Sequence, residues 1–147
     1  MQRTYRSGAK AAVGVLCCLA MASAMAVAQT PYQPKFKGDP ARSDSEAAAL
    51  GYIRTVVRAE NAYNRKNGHF THSLLELVHT GSFTKRMTQT AQGDYTVKFL
   101  ARKDGYEIWL TPKQIDAQHR AFYTNSNEDG AIHADEQQEA NVASGKV

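Results

Sequence analysis

Apolar residues recur at three- and four-residue steps between Ala49 and Tyr63. Ala49, Leu50, Ile53, Val56, Val57 and Tyr63 fall on one face of a helix, and Arg54, Arg58, Arg65 and Lys66 fall on the outer face. Ser43-Asp44-Ser45-Glu46 precedes the run and has the form of a capping box, in which Ser43 accepts from the amide of Glu46 and Glu46 reaches back. Asn67-Gly68 supplies a left-handed stop. The pattern predicts a helix from about Ser45 to Lys66. Ser73-Leu74-Leu75-Glu76 repeats the capping logic and predicts a short helix closed by Gly81, with Phe70 in the seam between the two. Ser82 to Gly93 is polar and reads as a surface loop.

The period then changes from helical to alternating. Tyr95, Val97 and Phe99 alternate with Thr96, Lys98 and Leu100, and Tyr106, Ile108 and Leu110 alternate with Glu107 and Trp109. Asp104-Gly105 between the two runs is a hairpin signal, and Pro112 ends the second strand or marks its edge. Ala121 to Thr124 gives a third strand, Glu128-Asp129-Gly130 a turn, and Ala131-Ile132-His133 a possible fourth strand. The expected fold class is α+β: a long N-terminal helix plus a short helix, packed on a three- to four-stranded antiparallel meander sheet.

The flanks divide the 147 residues further. Arg3, Arg6 and Lys10 precede an apolar run from Ala11 to Ala22, and Ala26-Val27-Ala28 has the small residues of a signal-peptidase site. The run is shorter than the roughly 20 apolar residues of a spanning helix. The expected organisation is therefore a signal peptide over 1–28, a Pro-rich linker over 29–42, a globular domain over 43–134 and a polar, disordered tail over 135–147. Cys17 and Cys18 both lie inside the signal. Leu16 stands where a lipobox needs a small residue, so cleavage after Ala28 leaves no thiol chemistry in the mature chain. Removing Arg3, Arg6 and Lys10 leaves fifteen basic residues against fourteen acidic ones. The formal charge of +4 shrinks to about +1 and gives no argument for nucleic-acid binding.

Two groups of residues carry a resemblance. Asn67-Gly68-His69-Phe70 followed by Ser73-Leu74-Leu75-Glu76-Leu77 resembles the helix end, Asn-Gly-x-aromatic turn and short helix of type IV pilins and pseudopilins. Pro112, Arg120-x-Phe122-Tyr123 and Gly130-x-Ile132 resemble the closing strands of the same globular head. The similarity spans roughly Ser45 to His133. It lacks the usual prepilin N-terminal assembly motif: Gly8 and Gly14 are followed by Ala9 and Val15, and no acidic residue occurs in residues 1–38. The resemblance implies a pilin-like domain without a normal filament-forming helix.

Candidate chemistry is sparse. His69, His72 and His79 cluster in sequence with Glu76, but their spacing matches no zinc motif, and surface or capping roles are expected. His119 and His133 read as isolated, exposed strand-end histidines. Glu128 and Asp129 are too few oxygens for a calcium loop. Glu60, near the apolar helix face, is a candidate for a raised pKa. No nucleophile elbow, phosphate loop or dinucleotide fingerprint is present, so no catalytic residues and no cofactor are expected. Trp109, with Tyr106 and Tyr123, is the candidate binding surface, because a lone outward Trp is a typical contact anchor. The expected function is a non-enzymatic exported domain making protein–protein contacts at the cell envelope. Its expected partners are pilus or secretion-system components, with membrane contact only if the N-terminal segment stays uncleaved. The alternative is a small periplasmic ligand- or metal-binding protein.

Overall fold

The computed structural model describes residues 31–147. The expected signal segment, both cysteines and the first two residues of the expected linker lie outside the described residues. Among the described residues a single α-helix, α1 (Asp44–Asn67), packs on one six-stranded antiparallel sheet. The strands are β1 (Ala91–Gln92), β2 (Tyr95–Arg102), β3 (Gly105–Pro112), β4 (Ala121–Asn125), β5 (His133–Asp135) and β6 (Gly145–Lys146). Their order in the sheet is their order in the chain.

Helix α1 is bounded by local chemistry at both ends. Ser43 is extended, and its Oγ accepts the Glu46 N–H at 3.1 Å, a cap that contributes about 1 kcal/mol. The reciprocal half of the expected capping box is absent. The Glu46 carboxylate turns instead to the Arg42 N–H and to Arg120. At the other end Gly68 takes φ 79° and donates its N–H to the Asn64 carbonyl at 2.8 Å. Between the caps, Ala49, Leu50, Ile53 and Val56 are buried against Val97, Ile108, Leu110 and Phe122 of the sheet. This single apolar layer is the main core.

Several expectations need correction. The sheet has six strands, not three or four, and the second helix is only a 3-10 turn at Leu74–Leu77. Four residues are too few for an α-helical ladder, and Ser73 makes no side-chain cap to it. Ser82 to Gly93 is not a plain surface loop. It contains a 3-10 turn (Lys85–Thr88) and β1, and Phe83 inserts into the core with 2% exposure. Residues 135–147 are not a disordered tail either. They double back so that β6 pairs with β5, and Ala140 is 1% exposed against the sheet. The linker is pinned as well: the Pro40 carbonyl accepts from Arg120 at 2.6 Å, and Ala41 is buried.

The β2–β3 hairpin has eight registered pairs, closing at Arg102↔Gly105 around Lys103-Asp104. Neither turn residue has positive φ, so this is not the I′ turn that Asp-Gly usually signals. Gly105 serves packing instead. A Cβ there would sit 1.9 Å from Ser126 Oγ, which accepts the Tyr106 N–H.

Candidate functional site

Alternation on β2 and β3 gives the sheet two unlike faces. Val97, Phe99, Tyr106, Ile108 and Leu110 face α1, while Lys98, Leu100, Glu107 and Trp109 face away. On this outer face the Lys98 ammonium lies 4.8 Å from the Trp109 ring centroid, in cation–π geometry. Trp109 is half-buried and packs on Tyr123, its cross-strand partner, at 5.3 Å between centroids. Beside them Arg102 holds Glu107 through Nε at 3.1 Å and Nη2 at 2.6 Å.

The outer face is covered unevenly. Strand β4 is buried along its whole length, because α1 covers one side and the returning segment 136–147 covers the other. Ala121, Tyr123 and Ala140 form a second, small apolar cluster, with Ile115 and Trp109 at its margin. Burial raises the pKa of the Tyr123 phenol, and the nearby Glu107 carboxylate adds to this. Among the described residues the face is more open over β2 and β3, although the returning segment reaches β3, where the Thr111 hydroxyl donates to Glu139 Oε1 at 3.3 Å. Lys98 and Leu100 are exposed, leaving an open strip with an indole at its centre and cationic side chains along it.

Of the residues nominated from sequence, Trp109 and Tyr123 come together and Tyr106 does not. Tyr106 shares the parity of Ile108, so it lies on the helix side, between Phe70 at 5.4 Å and Phe99 at 5.9 Å. Burial raises the pKa of its phenol, helped by the charge of Glu60. The histidines are dispersed. His69 and His72 have ring centroids 6.0 Å apart, whereas His79 stands alone at φ 73° on the chain turn. His69 Nδ1 bonds the Phe70 carbonyl, and His72 lies 3.9 Å from Glu76. Among the described residues, no three His, Cys, Asp or Glu side chains are grouped to hold a metal ion.

Two charged clusters were missed. Arg120 grips Glu46 with Nε at 3.0 Å and Nη2 at 2.7 Å, and both its backbone N–H and that of Arg42 also donate to this carboxylate. The pair is buried and ties the start of α1 to the start of β4. The second cluster joins His133 to Glu128 and Ser144, with Lys146 on the other oxygen of Glu128. His133 is buried, not an exposed strand-end residue as expected. The acidic turn that suggested calcium thus has its Glu128 carboxylate engaged by Lys146 and by the His133 ring. No spacing rule in the sequence links these partners. The one available signal was an Arg and a His beside apolar strand residues, where an unpaired charge is costly.

Compared with known proteins, the chain matches no family model, no curated protein and no solved structure. Among the described residues no helix is long and apolar enough to cross a membrane.

Proposed function

We propose that this protein is a non-enzymatic, exported, pilin-like domain that makes protein–protein contacts at the cell envelope through the open strip around Trp109. The observation that carries the reading is the part of the outer face of β2 and β3 that stays exposed among the described residues. There a half-buried Trp is flanked by exposed Lys98 and Leu100, while neighbouring β4 is buried along its whole length. An aromatic anchor with an aliphatic neighbour and a cation at the rim has the composition of an interface centre. The α+β plan, with α1 laid on an antiparallel meander, supports the likeness to a pilin head. Export rests on the signal-like character of residues 1–28.

Site-specific photo-cross-linking in intact cells tests this. A photo-reactive amino acid at position 100 should yield a discrete envelope adduct, and the same group at Arg58 on the helix exterior should not. Trp109→Ala should weaken the adduct at least fivefold, within the usual range for loss of a contact anchor, while circular dichroism remains native. Mass spectrometry of the purified band should find Gln29 at the N-terminus. Equal labelling from both positions would remove the proposed surface, and an adduct confined to cytoplasmic proteins would remove the envelope.

A further inference from the structure

His133 is 1% exposed, and both of its ring nitrogens face acceptors. Nδ1 lies 2.7 Å from the Ser144 carbonyl oxygen and Nε2 lies 2.8 Å from Glu128 Oε2. A carbonyl oxygen and a carboxylate can only accept, and a neutral imidazole carries a single N–H. A neutral ring would therefore donate to one partner and set a lone pair against the other. Satisfying both contacts takes an imidazolium, unless Glu128 itself carries the proton. Lys146, with Nζ 3.1 Å from Glu128 Oε1, argues against that alternative. Lys146 first, and then His133, hold the Glu128 carboxyl below the usual carboxylate range. Asn125 Nδ2 gives Glu128 a further donor at 3.3 Å.

The two acceptors belong to different parts of the chain. Ser144 lies in the returning segment 136–147, and Glu128 lies in the 3-10 turn Ser126–Glu128. We propose that protonated His133 is a pH-operated latch that holds segment 136–147 as a strap across the outer sheet face, and that loss of its proton loosens the strap and uncovers Ala121 and Tyr123. The groups facing the ring are Glu128 from the 3-10 turn, Lys146 from β6 and Tyr123 from β4, whose ring centroid is 6.1 Å away. Asp135, two residues along β5, is engaged by Ser144 Oγ and by the amides of Gln137 and Gln138. The latch has two limits. Raising the pH until the ring gives up a proton removes its second donor. Lowering the pH through the depressed Glu128 value removes its carboxylate acceptor. The strap is held between the two, whether or not the outer face meets a partner.

Nuclear magnetic resonance on the whole protein reads the latch directly. At about pH 5 the nitrogen shifts of His133 should show both ring nitrogens protonated, as an acceptor at each of them requires. The Val147 amide, bonded to the Ile132 carbonyl at 2.9 Å, reports the strap. Its protection against hydrogen exchange, corrected for intrinsic exchange, should fall about tenfold or more by about pH 9, as loss of one charge-assisted hydrogen bond predicts. In Glu128→Gln the amide nitrogen can donate to Nε2 of a neutral ring, so the protection should change by less than about twofold over the same span. A singly protonated ring at about pH 5 in the wild type would overturn the proposal on its own. So would an equal pH dependence in Glu128→Gln.

Discussion

Glu46 and Glu60 are both fully buried on α1, yet the fold treats them in opposite ways. Glu46 receives a bidentate guanidinium and two backbone N–H groups, so its charge is matched where it lies. Glu60 receives only Thr71, through the hydroxyl and the N–H at 3.1 Å. Burial outweighs those bonds and, with a smaller push from the Glu76 charge, raises the Glu60 pKa above the ordinary glutamate value. The folded state therefore binds this proton more tightly than the unfolded chain does. The associated stability is fully present below the unfolded pKa and is lost as the pH rises through the folded one. Glu60→Gln removes that dependence while keeping a carbonyl acceptor for Thr71. Denaturant midpoints measured from about pH 4 to about pH 8, the span over which a raised glutamate ionises, should decline for the wild type relative to the variant. The variant should be at least as stable at the upper end. Parallel curves would mean that the Glu60 pKa is not raised in the fold.

At the scale of elements, what was legible depended on length. The helical recurrence of Ala49, Leu50, Ile53 and Val56 and the alternation along Tyr95–Leu100 and Tyr106–Leu110 each extend over several residues. Each coincides with a buried face. The segment Ser82 to Gly93 has no such repeat. Its Thr and Gln content hid one anchoring aromatic, Phe83, whose burial holds the whole segment beside α1. Tyr52 adds a hydrogen bond from its hydroxyl to the Met87 carbonyl at 2.9 Å. Phe83→Ala should lower stability by about 3–5 kcal/mol, as expected for an emptied aromatic site. Arg86→Ala on the exposed side of the same segment should stay within about 0.5 kcal/mol. Thermal or denaturant unfolding measures both, and a small effect of Phe83→Ala would restore the surface-loop reading. Strands of two residues are equally invisible to pattern, which is why β1 and β6 were missed, whereas β5, expected over Ala131–His133, falls at His133–Asp135. The strap was hidden because Ala140 alone carries its burial, among polar neighbours. For the candidate site, parity placed Trp109 opposite Ile108. The same parity excludes Tyr106, so grouping the aromatics by type instead of by face produced the misassignment.

At the scale of the molecule, every strand among the described residues hydrogen-bonds only to strands adjacent to it in the chain. The sheet can therefore assemble by successive short closures, each costing little loop entropy, from the long β2–β3 hairpin outward. Distant closures come on top of these, such as Arg42 to Glu136, 94 positions apart, and Glu46 to Arg120, 74 apart, and the latter seats the start of α1 on β4. Order in the sheet thus becomes order in time: the hairpin forms early, and the buried ion pair locks afterwards. Leu110→Ala should accordingly slow refolding. Arg120→Met should instead leave the refolding rate nearly unchanged and speed unfolding, as stopped-flow measurements in denaturant can show. The reverse partition would mean that the helix docks first. In the forward case the Glu46–Arg120 pair acts as a kinetic clasp. It does little to direct the chain to its native state and much to lengthen the time spent there.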